Sequence, residues 1–199
     1  MLAVGLTGQS ASQTQTGSQA TARLSSPIEP GTISRGVYYN SSLEFSYRLP
    51  IGWVDRTSRM QDASADPVKS MVLLGVFGRP PEVVGEGVNS AVVIAAESVS
   101  SYPGLKAAAQ YFGPLTELVA SKGFTAVGEP YEFPVDGKPI VRADYKKPIA
   151  GMTMHQSSLA WLAKGYVISF TFIGGNDDEV QQLLEALSFG KKRASSGRD

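Results

Sequence analysis

The chain has 199 residues, 42% hydrophobic and 18% charged, an ordinary globular balance that suits one domain with a single sizeable core. Its 18 bases and 18 acids balance, but 1–35 and 191–199 hold six of the bases and two of the acids, so 36–190 carries 12 bases against 16 acids; that body lacks the clustered basic face that nucleic acid demands. No cysteine is present, which excludes a disulfide scaffold, a Cys-ligated metal and a thiol nucleophile, and no apolar run reaches the ~18 residues of a spanning helix.

The sequence begins MLAVGLTGQSASQ. An apolar stretch, Leu2 to Leu6, followed by small residues resembles the end of a signal peptide without its basic region. The expected location is therefore periplasmic or extracellular, with the cytoplasm as the alternative. Residues 7–34 are rich in Ser, Thr, Gln, Gly and Ala and bury too little to offset their ordering entropy, so 1–34 is expected to be a disordered leader. Residues 36–190 are expected to form one domain, and the basic KKRASSGRD at 191–199 a disordered tail.

The domain opens with a period of two. In LEFSYRL, Leu43, Phe45, Tyr47 and Leu49 point one way and Glu44, Ser46 and Arg48 the other, the pattern of a half-buried strand. GVYY ahead of it, across Asn40-Ser41-Ser42, supplies the first arm of a hairpin, because Asn and Ser side chains bond local backbone groups. Pro50 ends the strand and Gly52 lets Trp53 fold back as a core plug. MVLLGVFG (71–78) and NSAVVIAAESVS (89–100) read as strands around a Pro/Gly loop.

Residues 105–122 switch to a period of 3.6, with Leu105, Ala108, Phe112, Leu115, Leu118 and Val119 on one face of a helix that Gly113-Pro114 should kink or split. FTAVGEPYEFPV (124–135) and KPIVRADYKK (138–147) form a hairpin across Asp136-Gly137, and GMTMHQSSLAWLA (151–163) and YVISFTFIG (166–174) another across Lys164-Gly165. GGNDDEVQQLLEALSF closes the domain as a helix, capped by Asn176, with acids in its first turn and Val180, Leu183, Leu184 and Leu187 as its buried stripe. The sum is an α+β domain, a curved antiparallel sheet of six to eight strands with an internal and a C-terminal helix packed on it.

Tyr38 or Tyr39, Asn40, Phe45, Pro50, Gly52 and Trp53, with the order of elements over about 36–190, resemble the PsbP-like superfamily, which includes DcrB-like proteins. Its members share an architecture rather than a chemistry. The resemblance implies a non-enzymatic domain that docks on a partner, often outside the cytoplasm, and carries no site residue over to this chain.

Residues that could do chemistry each have a plainer explanation. His155 is the sole histidine; without a G-x-S-x-G elbow or a second His it reads as a polar residue on a half-exposed strand beside Thr153 and Ser157. GGNDDE offers helix N–H groups to an anion, but Asp177, Asp178 and Glu179 would repel it and act as caps. Val83 and Val84, beside Pro80-Pro81, form a candidate docking tip. The carboxylate pairs Glu129 with Glu132, or Asp144 with Glu97, would serve a hydrolase only if the fold brought them together. Ile168, Phe170 and Phe172, with Met152 and Met154, line either a core or a ligand cavity. No catalytic, cofactor-binding or metal-ligating residue is assigned, no cofactor is expected, and the partner-binding residues are not identified. The expected function is a non-enzymatic, exported bacterial binding or accessory domain that docks on a protein or envelope partner. The alternative is a small-molecule or lipid carrier with a cavity between sheet and helices.

Overall fold

The computed structural model describes residues 28–63 and 69–190; the expectations for 1–27 and 191–199 lie outside them. Strands β1 (Thr32–Ser34), β2 (Val37–Asn40), β3 (Phe45–Arg48) and β11 (Leu187–Phe189) form a four-stranded sheet in the order β1-β2-β3-β11. Strands β4 (Val54–Asp55), β5 (Ser70–Phe77), β6 (Ala91–Ser98), β7 (Thr125–Glu132), β8 (Val141–Ile149), β9 (Met152–Ala163) and β10 (Tyr166–Gly174) form a seven-stranded sheet in the order β4-β5-β6-β10-β9-β8-β7. All pairs are antiparallel. Helices α1 (Thr57–Asp62), α2 (Ala108–Ser121) and α3 (Asp177–Glu185) complete the α+β fold.

The larger sheet is covered on both faces, and its centre is apolar on both. On one side Ile168, Phe170 and Phe172 of β10 and Leu159 of β9 meet Phe45 and Tyr47 of β3 and Leu183 and Leu184 of α3. On the other, Val167 and Ala160 meet Tyr111, Phe112 and Val119 of α2. The aromatic stripe on β10 is thus core: all three of its members are 0% exposed. Four hairpin turns, Arg35-Gly36, Asp136-Gly137, Ala150-Gly151 and Lys164-Gly165, hold both residues at positive φ, the geometry whose twist matches paired strands. The last residue of each pair is the one that glycine makes easy.

Several expectations are corrected. β1 lies within the stretch assigned to the leader, and Ile28 is buried in the main core; backbone pairing with β2 orders what composition marks as polar. The first reversal runs over Ser41 to Glu44 rather than Asn40 to Ser42. Asn40 still directs it, accepting from the Leu43 N–H at 2.9 Å and the Ser42 hydroxyl at 2.8 Å. Trp53 is half-buried at the rim of the core, and Tyr47 and Phe45 are the plug. α2 runs unsplit through Gly113-Pro114, since both residues face solvent and water can hydrate the carbonyl that the proline leaves unpaired. Its buried face is Tyr111, Phe112 and Val119, while Leu118 is exposed. α3 stops at Glu185, because Leu187 and Phe189 gain more by alternating inward as β11 beside β3. The short helix α1 has no counterpart among the elements that the sequence predicts.

The Tyr47 hydroxyl is buried without a hydrogen-bond partner, and burial holds its pKa well above the ordinary tyrosine range. An unsatisfied buried hydroxyl costs its desolvation. Tyr47→Phe is therefore expected to raise stability by about 1 kcal/mol, seen as a higher urea midpoint at unchanged slope. Phe170→Ala should lower stability by about 3–5 kcal/mol in the same measurement, and Trp53→Ala, at the rim, by clearly less.

Candidate docking surface

Toward the first turn of α3, the face of β7, β8 and β9 turns polar. Period-two alternation in Val141 to Lys146 puts Val141, Ala143 and Tyr145 under α2 and Arg142, Asp144 and Lys146 on the opposite face. The register of β9 sets Ser157 across from Asp144 and His155 across from Lys146. The first turn of α3 overhangs these residues and encloses a hollow of about 360 Å³.

Within it Arg142 is the hub. Its Nε donates to Asp144 Oδ1 at 2.9 Å, Nη2 to Ser157 Oγ at 3.0 Å and Nη1 to Gln181 Oε1 at 3.3 Å. Its guanidinium lies 5.1 Å from the Phe133 ring centre and 5.9 Å from that of Tyr131, favourable stacking for a planar cation. Asp144 also accepts from Tyr131 at 2.9 Å and from the Ser157 hydroxyl. Burial, then the bond to Asp144, pushes the Tyr131 phenol up.

His155 lies on the polar face with Ser157, as the alternation predicts. Its Nδ1 meets Asp177 Oδ1 at 2.6 Å, and Lys146 Nζ meets Asp177 Oδ2 at 3.0 Å. The Ser157 proton goes to Asp144, so the serine–histidine bond of a nucleophilic pair is absent among the described contacts. Asp177 thus serves a cross-element clamp rather than a cap. The caps are Asn176, whose Oδ1 accepts from the Glu179 N–H, and Glu179, which accepts from the Gly175 N–H, both at 2.8 Å.

The remaining candidates are dispersed. Glu97 lies on the α2 face, where it accepts from the Tyr111 hydroxyl at 2.7 Å and from Tyr102. Asp144 is on the other face of the same sheet, so the two carboxylates cannot share a cleft. Burial, joined by Glu97, holds both tyrosine hydroxyls far above their usual range. Glu129 and Glu132 are exposed on β7. Met152 and Met154 lie on the face opposite Phe170 and do not line a cavity with it. Val83 and Val84 are 51% and 98% exposed on a loop that Arg79 pins through bonds to backbone carbonyls from Gly85 to Val88.

The feature that sequence reasoning missed is the edge beside this polar face. β7 is the outermost strand, and all eight of its residues are exposed, Val127 at 45% and Tyr131 at 43%. Where its lower end meets the start of α2, an open groove of about 610 Å³ is lined by Ala108, Pro130, Tyr131, Pro134, Pro139 and Trp161. Lys138 Nζ stands 5.5 Å above the Trp161 ring. The charged alternation of β8 was visible in the sequence; the position of β7 at the sheet edge was not.

No family model and no curated protein matches the chain. Among solved structures it is similar to cyanobacterial PsbP (CyanoP) from Synechocystis sp., with TM-score 0.51 and 14% identity over 77% of this chain and 91% of that one. Two further likenesses are weaker. The Saccharomyces cerevisiae Ran-binding protein Mog1p has TM-score 0.47 and 12% identity over 80% and 97%. LpqN of Mycobacterium tuberculosis, involved in cell envelope biogenesis, has TM-score 0.38 and 14% identity over 73% and 83%. The likeness to CyanoP shows the fold, and the architecture is PsbP-like.

The hydrogen bond from His155, then that from Lys146, holds the Asp177 carboxyl below its ordinary 3.8. A depressed carboxyl stabilises the fold above its unfolded pKa, and that contribution is lost as pH falls through the folded value. Asp177 is largely exposed, so solvent screening keeps the effect small. On acidification below about pH 4, the denaturation midpoint of Asp177→Asn should fall less steeply than that of the parent. Parallel curves would show that the clamp contributes nothing.

Proposed function

We propose that this protein is a non-enzymatic, exported binding domain that docks on a protein or envelope partner through the β7 edge and the groove beside it. The observation that carries the reading is β7 itself, eight residues exposed on both faces at the rim of a sheet whose centre is sealed on both sides. Tyr131 and the stacked Arg142 are the residue types that most often anchor interfaces, and Arg142 is held in place before any partner arrives. No helix among the described residues is long and apolar enough to cross a membrane.

A second reading, carriage of a small apolar molecule, has the same groove in its favour, because about 610 Å³ falls within the usual range of ligand sites. Native mass spectrometry on the full chain purified gently from its own host separates the two. A stoichiometric second protein supports docking, and a small adduct on a bare monomer supports carriage. With the partner in hand, Tyr131→Ala and Val127→Asp, both at exposed positions, should weaken binding at least about tenfold with little change in melting temperature. Unchanged affinity in both variants would move the interface away from β7.

A further inference from the structure

The open groove at the start of α2 combines two features that narrow its occupant. Its walls are mostly apolar, and Pro130, Pro134 and Pro139 among them have no N–H to donate. Such walls suit an alkyl chain, which needs no hydrogen bond, better than a peptide backbone or a sugar, whose polar groups would be left unpaired.

The second feature is a single cation. Lys138 follows the Asp136-Gly137 turn, half-buried, and its Nζ stands 5.5 Å above the Trp161 ring. An aromatic face attracts an ammonium without neutralising it. Among the described residues no carboxylate lies within ion-pair distance of Lys138, and its ammonium donates no hydrogen bond. Its three N–H donors are therefore available to an occupant. Glu132, the other charged residue of the lining, is exposed on β7 and does not pair with it. The start of α2, Ala107 to Ala109, forms a further stretch of wall, and the first turn of that helix holds no acid.

We infer that the groove takes a single-chain alkyl carboxylate, its chain laid along the proline wall and its head paired with Lys138. One ammonium matches one monoanion. A phosphate head, with up to two charges and three acceptor oxygens, would leave part of its demand unmet. The inference rests on the carriage reading of this groove and adds the head group to it.

Decanoate and decanol, at concentrations where both are monomeric, are the probes for the full chain. Binding is read by calorimetry. It is placed by the two indole N–H signals in NMR, since Trp161 lines the groove and Trp53 lies at the rim of the core. Decanoate should shift the Trp161 signal and not that of Trp53. It should also bind about tenfold tighter than decanol, the difference expected of a hydrogen bond between charged groups. Lys138→Gln should remove that preference and leave decanol affinity and melting temperature nearly unchanged. Equal affinity for acid and alcohol in the parent would overturn the head-group assignment while carriage stands, and so would a preference that survives in Lys138→Gln. Binding that shifts Trp53 alone would overturn the assignment of the groove. If neither probe binds, this inference and the carriage reading fall together, and docking remains as the reading of the groove.

Discussion

The contact on which the rest of the molecule depends is the meeting of three strands at Phe170. Its ring, fully buried on β10, lies 5.3 Å from Phe45 of β3 and 6.1 Å from Phe189 of β11, and Phe189 in turn lies 5.1 Å edge-on to Trp161 of β9. Aromatic pairs of this kind contribute about 0.5–1.5 kcal/mol each beyond the area they bury. Their larger consequence is topological. They fasten an early hairpin and the last described strand to the middle of the larger sheet, so parts of the chain far apart in sequence are closed on one another. α3 must then span from the end of β10 to the start of β11, which fixes its first turn above β8 and β9 and brings Asp177 onto His155 and Lys146.

Much of this was legible because period two is a local property. The alternations at 43–49, 141–146 and 166–174 assign strand and face without knowledge of neighbours, and Asp136-Gly137 and Lys164-Gly165 mark their own turns. Arg35-Gly36 and Ala150-Gly151 adopt the same backbone, but the polar stretch before the first and Pro148 before the second obscure the strand that each turn follows. β11 was hidden because Leu187 fits the helical stripe of α3 as well as it fits a strand, and only β3 decides between them. The same holds for Leu118, which follows the period of α2 but extends past the sheet that the helix covers. The polar face was half legible. Its charges could be read from β8, but the clamp required the placement of α3, and the exposure of β7 required the strand order.

The polar face also shows why proximity of Ser, His and Asp is not chemistry. Activation requires that a base share the proton of the nucleophile. Ser157 gives its proton to Asp144, a carboxylate that also accepts from Arg142 and Tyr131. His155 is oriented by Asp177, on a different element. Arg142 is paired with Asp144 and Lys146 with Asp177, so most of the charge on this face is matched within it.

Such a surface limits how a partner could be recognised at β7. An exposed edge strand usually invites another strand by backbone pairing. Here the register with β8 breaks between Val127 and Tyr131, where Gly128 takes a positive φ and Pro130 has no N–H to give. The regular edge is reduced to Thr125–Val127 and Tyr131–Glu132, too short on either side of the break for a continuous ladder. Past the break, Tyr131 stands beside the Arg142 stack. On the docking proposal, recognition at this rim falls to side chains: the aromatic faces, the Arg142 guanidinium held among them and the walls of the adjoining groove.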